Sequence, residues 1–166
     1  MIWTVRADDA DVTMVSCDGV LFKVHRKNLE MYTEGFPGVD VSVHDEIVPL
    51  TETAATLELL FQYMYRQRQP DLNRLEPEQL AKLAEAAEKY QVYSAIEVCK
   101  MRMQSLIETM PMIVLGYAAK HGYKDLAKEA APHTIDVSAV EAAAHLNVEC
   151  FYNWVGAFRG VPAAVA

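Results

Sequence analysis

No apolar run in this chain approaches the roughly 18 residues that a membrane-crossing helix needs. The opening MIWTVRADDADV lacks a basic end leading into a long apolar stretch, so no secretory leader is expected. Cysteine is scarce. Cys17, Cys99 and Cys150 are odd in number and far apart, and no CxxC occurs, which suits buried thiols in a reducing compartment better than a disulfide framework. The five histidines (His25, His44, His121, His133, His145) show no zinc-ligand spacing. Basic charge is short as well. Fifteen Lys and Arg stand against 23 Asp and Glu, for a formal net charge of −8 and a pI near 5.1. Phosphate binding needs a concentrated cationic field, so no nucleic-acid surface is expected. The catalytic fingerprints HExxH, GxxxxGK, GxGxxG and GxSxG are missing too. Cys17 or Ser16 with His25 is the nucleophile–base pairing on offer, and neither has a glycine-framed oxyanion segment beside it. The expectation is a protein with no catalysis, no cofactor, no metal and no membrane, resident inside the cell in cytoplasm or nucleus.

What is present is a globular composition, 52% hydrophobic and 23% charged over 166 residues. That length suggests one domain, large enough to bury about 70% of its unfolded surface. The first part reads as strands. Asp11 to Ser16 alternates β-branched and polar residues, Cys17-Asp18-Gly19 is a hairpin turn, and Val20 to Val24 returns, with Leu21 breaking the alternation. His25 to Thr33 turns helical around Leu29, and the breakers Gly35-Phe36-Pro37-Gly38 end that helix. Val39 to Val43 is a loop with strand tendency. Glu46 to Leu50 is a third strand, near an edge because of Pro49.

From Thr53 the period becomes helical. Leu57, Leu60, Phe61 and Met64 recur on one face, with the Thr53 hydroxyl as the expected cap. Pro77 suits the first position of the next helix, where Leu75 and Leu80 are placed for a hydrophobic staple. After a turn at Gln91 to Ser94, Val92, Ile96, Cys99, Met103 and Leu106 share a helix face. Pro111 opens a further helix and Gly122 closes it in the left-handed conformation. Lys124 to Ala131 is a short helix stopped by Pro132, and Asp136 and Asn147 are the expected caps of two more. The last, Val148 to Phe158, carries Phe151, Trp154, Val155 and Phe158 at helical spacing. The order is an α+β start with an all-α finish.

One ordered set of residues goes beyond patterning. It runs Asp11-Val12, Phe22-x-Val24-His25-Arg26-x-x-Leu29, Thr33-x-x-Phe36, Val48-Pro49-Leu50, then Leu57-x-x-Leu60-Phe61-x-Tyr63-Met64-Tyr65. Pro70-Asp71-Leu72 and Leu80-x-x-Leu83-x-x-Ala86-Ala87-x-Lys89-Tyr90 follow. Over residues 10 to 107 this set resembles the BTB/POZ family, and FKVHRKNLE and EAAEKYQVYSAIEVCK are worded most like its fungal branch. The resemblance implies a small mixed sheet flanked by helical hairpins over residues 1–107, then an all-α C-terminal extension over 108–160 packed on it, and a frayed tail at 161–166. It also implies a role in protein–protein interaction.

Within that frame Asp11, His25 and Arg26 are structural, with Asp11 expected to form a partly buried charge pair with His25 or Arg26. The resemblance offers two partners: a cullin-type ubiquitin-ligase scaffold, which makes the chain an adaptor, or a second copy, which makes it an oligomerising scaffold or transcription-regulatory module. Ten residues precede Asp11, too few for a helix plus a strand, so a homodimer is not expected to form by amino-terminal strand exchange. The candidate partner-binding residues are Phe36, Val43, Asp45, Tyr65 and Arg66. Val43-His44-Asp45 stands where cullin-recruiting members carry a hydrophobic-x-Glu element, and Tyr65 matches the tyrosine of a Y-T-G turn whose Thr-Gly is here Arg66-Gln67.

Overall fold

The computed structural model describes residues 9–36 and 47–159. The chain divides into two units, Met1–Lys100 and Met101–Ala166, with the division inside a helix. In the first unit β1 (Val12–Val15) pairs antiparallel with β2 (Leu21–Val24), Val12 opposite Val24 and Val15 opposite Leu21. Gly19 makes the turn between them at φ +83°, a backbone region that side chains disfavour. Its N–H donates to the Ser16 carbonyl at 2.9 Å. Leu21 breaks the sequence alternation because it faces solvent, while Phe22 and Val24 are fully buried. β3 (Ile47–Pro49) lies parallel to β1, giving the order β2-β1-β3 with the proline strand at an edge, as expected. Glu46 and the expected loop at Val39 to Val43 lie outside the described residues.

The connection from β2 to β3 passes through α1 (Arg26–Tyr32), whose buried residue is Leu29. Next come α2 (Ala54–Gln62), α3 (Pro77–Tyr90) and α4 (Tyr93–Gln104). Aromatic rings tie these elements together. Phe22 meets Phe61 edge-on at 5.3 Å, and Phe36 lies flat on Tyr90 at 4.0 Å. The stripe predicted along α4 and beyond is buried in full, with Val92, Cys99 and Met103 at 0% exposure. Burial pushes the Cys99 thiol up to about 12, so it stays protonated. Cys17 is exposed and not the buried thiol expected, because it stands in the hairpin turn.

Two helix starts are capped from elsewhere in the chain, and at α2 this replaces the expected local cap. Thr53 makes no side-chain cap bond, its hydroxyl lying instead 3.1 Å from that of Thr56. The Ala54 amide is taken by Asp18 Oδ1 at 2.9 Å, reaching across from the hairpin turn. The Arg26 amide is likewise taken by Asp11 Oδ1 at 2.7 Å. A carboxylate from elsewhere in the chain satisfies an orphan first-turn N–H as well as a local cap does. α3 ends on Gln91, in the left-handed region at φ 53°, with the Val92 N–H bonding back to the Ala87 carbonyl at 2.9 Å.

Tyr63 is 4% exposed, and its hydroxyl meets no hydrogen-bond partner among the described residues. Burial raises its phenol well above the usual range. Tyr63→Phe is expected to stabilise the protein by about 1 kcal/mol in urea unfolding, since a buried hydroxyl without a partner costs about 1–3 kcal/mol to desolvate.

The second unit holds α5 (Pro111–His121), α6 (Lys124–Ala130), a 3₁₀ turn at Ala131–Thr134, α7 (Ala139–His145) and α8 (Val148–Arg159). Gly122 closes α5 at φ 75°, and Asn147 Oδ1 caps α8 through the Cys150 amide at 2.8 Å, both as expected. Pro132 does not simply stop α6; it sits at the start of the 3₁₀ turn, where its missing N–H is tolerated. Asp136 is not the cap of α7. Ser138 is, accepting the Glu141 amide at 3.1 Å, with Glu141 at the third helical position as in a capping box. The Trp154 indole donates to buried Thr134 Oγ1 at 2.8 Å, which fastens α8 to the 3₁₀ turn. The expected α+β start and all-α finish are therefore both present.

Candidate interaction surface

The sheet and α1 bring several motif residues into one cluster. Tyr65, half-buried after α2, accepts the His25 backbone N–H at 3.1 Å and stands 3.2 Å from His25 Nδ1. The other ring nitrogen, Nε2, stands 3.1 Å from Asp9 Oδ1, so the imidazole bridges the two side chains. The His25 hydrogen bond holds the Asp9 carboxyl below its ordinary value. Burial raises the Tyr65 phenol, against the His25 amide and the Asn28 side chain, which pull it down.

Among the described residues Asp11 makes no charge pair with His25, whose ring reaches Asp9 instead. Asp11 is exposed and spends its carboxylate on the Arg26 amide. The geometry still makes it structural, as the cap that seats α1 on β1. Asp11→Ala is expected to lower stability by about 1 kcal/mol, the size of a lost N-cap, with Asp11→Asn recovering most of it in thermal unfolding.

Of the candidate contact residues, Arg66 is exposed and Tyr65 is committed to His25. Phe36 is only 6% exposed and stacks on Tyr90, so it belongs to the core and offers no surface. The breakers around it marked only the end of a helix; the ring pair that holds it carries no local signal. Val43 and Asp45 lie outside the described residues.

Exposed apolar side chains are instead found at Met31 (62%) and Tyr32 on α1, and at Tyr93 (56%) at the head of α4. The Tyr93 hydroxyl donates to Glu34 Oε2 at 3.1 Å, so these residues border one region. Large exposed side chains with polar tips are what contact surfaces are made of. Periodicity could not single them out, because an exposed Met or Tyr reads like a core residue in the pattern. In the second unit an open cleft of about 490 Å³ is lined by Gln104, Ser105, Ile107, Glu108, Glu129 and His133. Among the described residues no group of three or more His, Cys, Asp or Glu could hold a metal ion. No helix of the described residues is long and apolar enough to cross a membrane.

Two comparisons with known proteins bear on this arrangement. The family model described as BTB/POZ domain matches residues 5–106. No curated protein matches the chain.

Proposed function

Because the chain belongs to the BTB/POZ domain family, a protein–protein interaction module, we propose that it is non-catalytic and recruits a cullin-type ubiquitin-ligase scaffold. The observation that carries the reading is how the motif residues are used. Asp11, His25 and Tyr65 are consumed in joining β1, α1 and the end of α2. The same unit leaves Met31, Tyr32 and Tyr93 exposed. Polar residues that hold a scaffold together beside an apolar surface fit a docking protein better than an enzyme. In this reading Arg66, Val43 and Asp45 are the cullin-facing residues and Tyr65 positions Arg66. Residence in cytoplasm or nucleus, and membership of the fungal branch on the wording of residues 22–30 and 85–100, belong to the same proposal.

The test is light scattering of the full chain with and without a purified cullin amino-terminal domain. A monomer that forms a one-to-one complex is the expected result. A dimer or larger species indifferent to cullin overturns it in favour of a self-associating scaffold.

A further inference from the structure

The two outer strands of the sheet differ in what their edges offer. On β3 the Leu50 N–H reaches inward to the Val15 carbonyl at 2.8 Å. Two-residue periodicity then turns Ile47 and Pro49 outward, and Pro49 has no N–H to present. That edge is blunted. The same bond shows that Val15 points its carbonyl toward β3, away from β2. Val15 and its opposite number Leu21 are therefore a pair that does not exchange hydrogen bonds. Leu21, Lys23 and His25 consequently aim their N–H and C=O groups away from β1. The His25 amide is taken by Tyr65. Those of Leu21 and Lys23 meet no hydrogen-bond partner among the described residues. Leu21 is 50% exposed, and Lys23 is exposed on the same face of the strand.

The geometry points to the outer edge of β2 as a strand-addition site for an extended partner segment that carries a carboxylate opposite Lys23. Strand addition draws affinity from main-chain hydrogen bonds and specificity from alternate side chains. Here Leu21 and Lys23 supply two donors and two acceptors at strand spacing, and Tyr65 sets where the added strand must stop. A lysine on an open edge deters uncharged strands and favours one with an acid directly across. An acidic, β-forming segment of another protein meets both conditions. This site lies on a different element from the proposed cullin-facing residues and does not depend on that reading.

The probe is the peptide acetyl-Thr-Val-Thr-Glu-Thr-Val-Thr-amide, with a twin carrying Lys in place of Glu, titrated into the full chain and followed by amide NMR and hydrogen exchange. The Leu21 and Lys23 amides are expected to shift and to exchange more slowly. The Glu peptide is expected to bind about threefold to tenfold tighter than its twin, an order that Lys23→Glu reverses. Lys23→Pro removes an N–H that lies outside the ladder with β1, so it is expected to abolish binding. N-methylation of the peptide on its β2-facing amides does the same on the unaltered protein, and keeps the test decisive if the proline variant fails to fold. Leu21 and Lys23 amides that ignore both peptides overturn the proposal. So does protection of those amides that grows with protein concentration in the absence of peptide, because a second copy is then the occupant. Neither result bears on the cullin measurement.

Discussion

Gly35→Ala is expected to cost about 3 kcal/mol, the upper end of what overpacking a close-packed site costs. A methyl at Gly35 would stand 2.7 Å from the Lys89 carbonyl oxygen, 2.8 Å from Tyr90 Cα and 2.9 Å from Tyr90 C. All three are backbone atoms at the end of α3, so no side chain can swing aside. Nor can Gly35 retreat freely. Its N–H donates to the Tyr90 carbonyl at 3.1 Å, and the next residue, Phe36, is stacked on the Tyr90 ring. Any shift that relieves the methyl loosens both. Gly19→Ala is the control, because Gly19 has φ +83° with nothing within 4 Å of an added methyl. It is expected to cost only the left-handed strain, about 1 kcal/mol. Urea unfolding checks the pair: the Gly35 variant should show the larger fall in midpoint at unchanged slope. Equal losses would mean that the contact with Tyr90 is not tight.

That glycine shows where sequence reading stops. Gly35 was legible as a breaker, yet α1 ends at Tyr32 before reaching it, and its use is close approach to a helix 55 residues further on. The hairpin, the edge strand, Pro77 and the stripe from Val92 to Leu106 were legible because each is written in local spacing. The caps that went to Asp11 and Asp18 were not, since their partners lie 15 and 36 residues away. A threonine directly before α2 is the better local candidate, and only the fold brings the hairpin turn closer. Gln91 at positive φ was hidden for the opposite reason: the turn was expected, but a glycine would have marked its conformation. Of the candidate surface, the motif chemistry was legible and its use was not. Asp11 looked like half of a charge pair and is a backbone cap. Leu21 looked like a flaw in a strand and is half exposed, on a strand whose outer side meets no further strand among the described residues.

Glu52→Ala is expected to destabilise the protein by about 2–3 kcal/mol near neutral pH, because it strips a shared acceptor from several donors at once. Glu52 is 13% exposed at its side chain. Its Oε2 takes the Tyr90 hydroxyl at 2.5 Å, and its Oε1 takes the Lys89 ammonium at 2.8 Å and the Thr51 hydroxyl at 3.0 Å. Its backbone carbonyl receives the Cys17 amide at 3.0 Å, so the same residue also anchors the hairpin turn. The Lys89 partner is 45% exposed, and solvent screens it, so the charge pair itself counts for less than the buried Tyr90 bond. Glu52→Gln, which keeps the shape and loses the charge, should therefore cost about 1 kcal/mol, less than the alanine variant. The pH dependence separates this from simple loss of packing. Burial raises the Glu52 carboxyl, and the Lys89, Tyr90 and Thr51 hydrogen bonds outweigh it, leaving the carboxyl below its ordinary value of 4.5. A lowered carboxyl adds stability above its unfolded value and loses it as the pH falls through the folded one. On the alkaline side, burial and the Glu52 bond lift the Tyr90 phenol to about 12, above its ordinary value of 10.0. A raised group adds stability below its unfolded value and loses it as the pH rises toward the folded one. The stability difference between the native chain and Glu52→Gln should thus be flat across the middle of the range, shrinking below 4.5 and again above 10.0. A difference that does not change with pH would reduce Glu52 to a packing residue and leave Tyr90 held by its stack on Phe36 alone.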